Sequence, residues 1–196
     1  MMSSSSLRFL ALLMSLALLG AGCGSDNESL QPSPPVTPAT TADEWAGRVV
    51  NRLMRPTNRD LEVLATLNNP QTKLYIEQGN ETTLDVLNRR LNDLAKCSDR
   101  LVAIGAPPLG SARIRQLRRV DAALRRACLH YEKAAEIVLV AVELLSSGRA
   151  DVIERGEDKL REAAPDAAAG AKAYDDAVQI AQRIPAFRRH GLTPPA

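Results

Sequence analysis

Apolar side chains recur three and four positions apart through most of residues 43–185, the spacing that places them on one face of an α-helix. No segment alternates apolar and polar residues with period two, so strands are not expected. Pro56 interrupts the first stretch and predicts a kink there. The sequence therefore predicts an all-α fold, an antiparallel bundle of four main helices with a kinked first helix. The four stretches run from Trp45 to Leu67, from Leu84 to Leu101, from Ile114 to Leu145 and from Val152 to Ile184.

Local signals indicate where these helices begin and end. Thr41–Glu44 and Thr82–Asp85 have capping-box spacing, in which a hydroxyl and an acidic side chain three residues later satisfy free N–H groups at a helix start. Gly148 is expected to end the third helix, and Pro165 to bend the fourth. Asn80 opens an Asn-Glu-Thr glycosylation sequon, which we interpret instead as part of a helix start.

Length and composition limit the possible architectures. After a leader and a tether are subtracted, the 196 residues leave room for one ordinary domain. The aromatic fraction is only 3%, and the apolar residues are mainly aliphatic, which favours packed helices. The formal charge of +2 is close to balanced, so the overall charge gives no reason to expect nucleic acid as a partner.

The first 22 residues have the layout of an export signal. Arg8 precedes an apolar run from Phe9 to Leu19, and small residues follow at Gly20, Ala21 and Gly22. A bilayer-crossing helix needs about 20 apolar residues, so this run is too short to span a membrane. We expect residues 1–22 to be a removable leader.

The segment Leu19-Gly20-Ala21-Gly22-Cys23 resembles the lipobox of bacterial lipoproteins, although that family usually has Leu where this chain has Gly20. The resemblance implies cleavage before Cys23 and acylation of its sulfur, hence a lipid-anchored protein of the cell membrane or outer membrane that faces the extracytoplasmic space. The alternative is an ordinary secretory signal that contains a cysteine. The later helical part also resembles uncharacterised all-helical envelope lipoproteins, without a diagnostic motif.

The segments on either side of the helical region are expected to lie outside the folded domain. Residues 23–42 comprise Cys23 and a tether rich in Ser, Thr and Pro, with almost nothing to bury. Residues 43–185 form the helical bundle domain, and residues 186–196 form a basic, proline-containing tail. A flexible 19-residue tether has a mean reach of roughly 25 Å.

The chain has three cysteines. If Cys23 carries the lipid, Cys97 and Cys128 remain, and we predict a disulfide between them. The bridge requires the proline-rich connection to extend beyond the end of the second main helix. The third helix then begins beyond that end and overhangs the second. The alternative is two buried thiols that pack as small apolar residues.

Catalytic and metal-binding patterns are not found in the sequence. The chain has only two histidines, in no Glu-x-x-His pair, and has no Gly-x-Ser-x-Gly segment or phosphate-binding glycine loop. We interpret His130 as a helix-surface or hydrogen-bonded core histidine. No metal, cofactor or enzymatic activity is therefore expected.

One local excess of positive charge stands out. Arg115, Arg118, Arg119 and Arg126 are candidates for contact with an anionic lipid or an acidic envelope polymer. The alternative, which the sequence favours, is a solvated helix face whose arginines pair with carboxylates of neighbouring helices. Trp45 is interpreted as a core residue rather than a membrane-interface anchor.

These observations favour a non-catalytic binding or structural module, attached to a membrane through lipid on Cys23 and able to contact another envelope protein. Nucleic acid is not an expected partner. The alternative function is a carrier or sensor of a small apolar ligand, held between the alanine-rich fourth helix and its neighbours.

Overall fold

The computed structural model describes residues 38–67 and 69–193, and all regular structure in that part of the chain is helical. This confirms the all-α fold class. The leader, Cys23 and most of the tether lie outside the described residues. None of the helices in the described ranges combines the length and the hydropathy needed to cross a bilayer. The elements are α1 (Ala42–Val49), a π-helical turn (Val50–Met54), α2 (Arg55–Thr66), α3 (Pro70–Glu77), α4 (Glu81–Leu94), α5 (Cys97–Ile104), α6 (Ile114–Leu145), α7 (Ala150–Gln182) and α8 (Pro185–Arg189).

The first helical stretch begins at the predicted cap. The Thr41 hydroxyl accepts a hydrogen bond from the Glu44 N–H at 3.1 Å, while the Glu44 carboxylate accepts one from the Thr40 N–H at 2.9 Å. α1, the π turn and α2 then follow without a gap. Pro56 cannot donate a backbone hydrogen bond, and the π turn ends at Met54, two residues before it.

The second stretch is divided more finely than the sequence predicted. A turn at Ala95 and Lys96 separates α4 from α5. The predicted helix start at Thr82 is wrong, because the cap is Asn80, whose side-chain oxygen accepts a hydrogen bond from the Thr83 N–H at 3.0 Å. The interpretation of the sequon asparagine as part of a helix start is thereby confirmed.

α6 and α7 form a long antiparallel hairpin. The connecting turn includes Gly148 with a φ of 69°, a left-handed conformation that favours glycine. α7 continues through Pro165 as one helix. At Gly170 an added Cβ would lie 2.6 Å from the Tyr131 ring, so the absence of a side chain there allows the two helices to approach closely.

Replacing Gly170 with Val is expected to lower the free energy of unfolding by about 1–3 kcal/mol, because the branched side chain would overlap the Tyr131 ring. Urea unfolding followed by circular dichroism measures the change. Ala168→Val, at an exposed position of the same helix, is the matched control for the helix propensity of valine. Equal effects of the two substitutions would show that the contact at Gly170 is not tight.

The end of the chain packs against the beginning of the domain. Residues 186–196 were predicted to form a tail, whereas Ala186 and Phe187 are buried in α8. The Trp45 and Phe187 rings meet edge to face, with centroids 5.8 Å apart. Trp45 is fully buried, which confirms its interpretation as a core residue.

Candidate anion-binding surface

The disulfide sets the position of α6 relative to α5. Cys97 and Cys128 are bonded, with their Cα atoms 5.1 Å apart, which agrees with the predicted pairing. At 1.5 Å per residue, α6 extends about 21 Å from Cys128 back to Ile114, whereas α5 extends only about 10 Å from Cys97 to Ile104. The first turns of α6 therefore overhang α5, as the sequence predicted.

The start of α1, residues 105–113, the first turns of α6 and α8 gather at one end of the domain, which we call the entry end. The Trp45 indole N–H donates to the Gly105 carbonyl at 3.0 Å. Arg189 Nε lies 2.7 Å from Asp43 Oδ1, and His190 Nε2 lies 3.1 Å from the Asp43 carbonyl. The beginning of the domain is thus joined to the connection before α6 and to the helix after α7.

The candidate arginines lie on the exposed side of α6. Each helical residue advances by about 100°, so Arg115, Arg119 and Arg126 fall within a sector of about 40°, and Arg118 lies about 60° to one side. All four side chains are exposed. The candidates therefore belong to one surface that begins at the entry end.

Arg183 extends this surface from the neighbouring helix. It follows α7 directly and lines a groove of about 440 Å³ with Arg119 and Arg126. The floor and rim of this groove, called the arginine groove below, are completed by Ala122, Asp176, Gln179 and Ile180. Sequence reasoning missed Arg183, because its approach to Arg119 depends on the pairing of α6 with α7.

Most arginines of this surface lack an ion-pair partner among the described residues. Arg125, the neighbour on α6, pairs with Asp121 at 2.8 Å. In contrast, no residue of the described ranges makes an ion pair or hydrogen bond with the guanidinium groups of the other arginines considered, which are Arg115, Arg118, Arg119, Arg126 and Arg183. The pairing with neighbouring carboxylates that the alternative interpretation required is not observed for them. A guanidinium presents several N–H donors in a planar fork that suits phosphate and carboxylate oxygens.

His130 belongs to a different, neutralised cluster. Its Nδ1 lies 2.9 Å from Asp166 Oδ1, and Lys133 Nζ lies 2.7 Å from Asp166 Oδ2. The hydrogen bond from Lys133, followed by that from His130, lowers the pKa of Asp166 below its usual value. These contacts confirm that His130 is a hydrogen-bonded histidine at a helix surface. Within the described residues, no three potential ligands are grouped closely enough to hold a metal ion.

Asp60 and Tyr174 are polar groups with structural roles. Asp60 is only 2% exposed, and its carboxylate lies 2.9 Å from Arg100 Nη1 and 3.5 Å from Arg90 Nη1, joining α2 to α4 and α5. Burial raises the pKa of the Tyr131 and Tyr174 hydroxyls above its usual value. The Tyr174 hydroxyl donates to the Met54 carbonyl at 3.1 Å.

A smaller apolar groove of about 260 Å³ lies where α2, α6 and α7 meet. It is the described feature most relevant to the alternative carrier function. Small residues at this junction leave room beside the larger aliphatic side chains. The lining consists of Leu64, Leu67, Val138, Leu160, Ala163, Ala164 and Ala167.

Comparison of the chain with protein-family models, curated proteins and solved structures found no match.

Proposed function

We propose that this protein is a lipid-anchored, non-catalytic module of the cell envelope that binds an anionic component through the arginine groove and the adjoining face of α6. The observation that carries the proposal is the grouping of Arg119, Arg126 and Arg183 without ion-pair partners among the described residues. Unpaired guanidinium groups facing a shared groove are suited to phosphate or carboxylate oxygens. The four main helical stretches act as one antiparallel bundle that holds α6 and α7 in register.

The cellular location in this proposal rests on the sequence. The leader and the lipobox resemblance at Cys23 support membrane attachment through lipid, with the domain in the extracytoplasmic space. Partners there include anionic lipids, acidic polymers and the acidic surface of another envelope protein. No aromatic side chain lines the arginine groove, so the stacking platform that single-stranded nucleic acids use is not supplied by it.

The second candidate function, binding of a small apolar ligand, is supported by the groove between α2, α6 and α7. Its entirely aliphatic lining suits an acyl chain or similar group. Not every small residue on α7 leaves a cavity. At Gly156 an added Cβ would lie 2.8 Å from a Leu145 side-chain carbon, so the space between α6 and α7 is already filled there. The arginine groove is the better supported site, because it is the larger of the two and holds three guanidinium groups without ion-pair partners among the described residues.

Photo-crosslinking in producing cells separates the two candidates. A photoreactive amino acid replaces Ala122, in the arginine groove, or Ala164, in the apolar groove, both exposed helical alanines. Our proposal predicts a defined adduct at position 122 that is lost when Arg119→Glu and Arg126→Glu are added. The charge reversals do not remove buried contacts, and the circular dichroism spectrum checks that the fold is kept.

Adducts at position 122 that persist in the charge-reversed protein, or no adduct at that position, would contradict the proposal. A single low-mass adduct at position 164 would favour the apolar-ligand alternative. A Cys23→Ser chain tests the anchor, since it is expected to lose lipid modification and normal processing. Normal membrane attachment of that variant would contradict the lipid-anchored part of the proposal.

A further inference from the structure

The entry end also carries an exposed apolar side chain. Leu109 is 75% exposed, the highest value among the large hydrophobic residues of the described ranges. It lies in the connection between α5 and α6, directly after two prolines, and Pro107 is buried. The prolines restrict the backbone, and the buried ring anchors the loop, so Leu109 is presented from a braced segment.

Hydrogen bonds join this loop to the arginine-bearing start of α6. The Ser111 N–H donates to the Pro108 carbonyl at 3.3 Å, and the Ile114 N–H donates to the Ser111 carbonyl at 3.0 Å. The Ser111 hydroxyl accepts from the Arg113 N–H at 3.3 Å. Leu109 is therefore held beside the first turn of α6, close in the chain to Arg115.

Three acidic groups at the entry end are already neutralised by internal partners, whereas Asp176 lies on the arginine groove. Asp43 pairs with Arg189, and Asp121 pairs with Arg125. Glu44 accepts hydrogen bonds from Thr40 and Arg48. The unpaired arginines of α6 consequently dominate the charge that this end presents.

The chain joins the described domain at the entry end. The described residues begin at Pro38, four residues before α1, so the tether proposed between Cys23 and the domain would attach there. The α6–α7 turn lies at the other end of α6, whose 32 residues span about 48 Å. This distance exceeds the roughly 25 Å mean reach of a flexible tether. If Cys23 carries the lipid, a chain of this length leaves the entry end, on average, closer to the membrane than the α6–α7 turn.

We propose that the entry end docks on the anionic bilayer that holds the lipid anchor, with Leu109 inserted among the headgroups and Arg115, Arg118 and Arg119 on lipid phosphates. This inference rests on the proposed function and names its anionic component. Apolar insertion and cationic contact act together at membrane surfaces, and each basic residue near an anionic surface strengthens binding about fivefold. The tether concentrates the domain at the surface, and the entry end orients it.

Tryptophan fluorescence tests the docked orientation in the mature protein reconstituted into vesicles. The chain has one native tryptophan, Trp45, which is buried, so Leu109→Trp introduces an exposed reporter. Ser147→Trp places the matched control in the exposed α6–α7 turn at the opposite end. The vesicles contain brominated phosphatidylcholine, which quenches inserted indoles, either alone or mixed with phosphatidylglycerol.

We expect strong quenching at position 109 in the phosphatidylglycerol mixture and little at position 147. Adding Arg115→Glu and Arg119→Glu to Leu109→Trp is expected to lower the ratio of docked to undocked protein at least fivefold for each substitution. Equal quenching at the two positions, or quenching at position 109 that ignores the charge reversals, would overturn the docking inference.

The two experiments distinguish failure of the docking inference from failure of the proposed function. If position 122 forms an arginine-dependent adduct with a polymer or protein while the indole at 109 stays in water, the arginine groove binds an anionic partner other than the bilayer. Loss of both signals would remove the proposed function as well. A phospholipid adduct at position 122 together with quenching at 109 supports both.

Discussion

Replacing both Cys97 and Cys128 with alanine is expected to lower the free energy of unfolding by about 3–4 kcal/mol. The bridge links residues 31 apart in sequence, and closing a loop of that length restricts the unfolded chain by about this amount in the chain-entropy description. Both cysteines are also 1% exposed, so the smaller alanines remove a little buried surface. Because the bridge ties α5 to α6, its loss should loosen the connection that carries Leu109.

Urea unfolding with and without reductant measures this effect. Wild-type protein is expected to lose stability when reductant is added, whereas the double-alanine variant should respond to urea identically in both conditions. The matched control is Ser98→Ala, next to the bridge on α5 and partly exposed. A double variant as stable as oxidised wild type would show that the bridge does not contribute to folding stability.

Replacing Trp45 with alanine is expected to lower the free energy of unfolding by about 3–5 kcal/mol. The side chain is fully buried and packs edge to face on Phe187, so its removal leaves a large cavity. The Gly105 carbonyl also loses the indole donor that lies 3.0 Å away. Both losses fall at the entry end, where the start of α1 meets the connection before α6.

Thermal unfolding of a short series separates these two contributions. Trp45→Phe retains an aromatic ring but removes the N–H donor, so it is expected to destabilise less than Trp45→Ala. Leu109→Ala, at the exposed loop position, should leave the free energy of unfolding within about 0.5 kcal/mol of wild type. An effect of Trp45→Ala as small as that of Leu109→Ala would contradict the core role of the indole.

The candidate site was only partly predictable from the sequence. The α6 arginines were recognisable as a local excess of charge within one helical pattern. Arg183 was not, because it is far along the chain and reaches Arg119 only through the α6–α7 hairpin. The Asp60 cluster shows the same limit, since Arg90 and Arg100 approach it from other helices.

Helical periodicity and local capping determined the all-α class and several boundaries, because these signals act through hydrogen bonds and side-chain spacing within a few residues. Even for these local signals one predicted cap was wrong, because Asn80 rather than Thr82 caps α4. Cysteine counting predicted the partner of Cys97, because Cys23 was assigned to the lipid.

Tertiary structure alone decided which exposed groups share a surface. The entry end carries residues that are far apart in the chain, namely Leu109, Arg119 and Arg183. Their common position toward this end depends on the overhang of α6 and on the antiparallel pairing of α6 with α7. The physical reason is that the relative positions of helices come from the simultaneous packing of many side chains across the whole helical domain, whereas each helix is specified largely by its own segment.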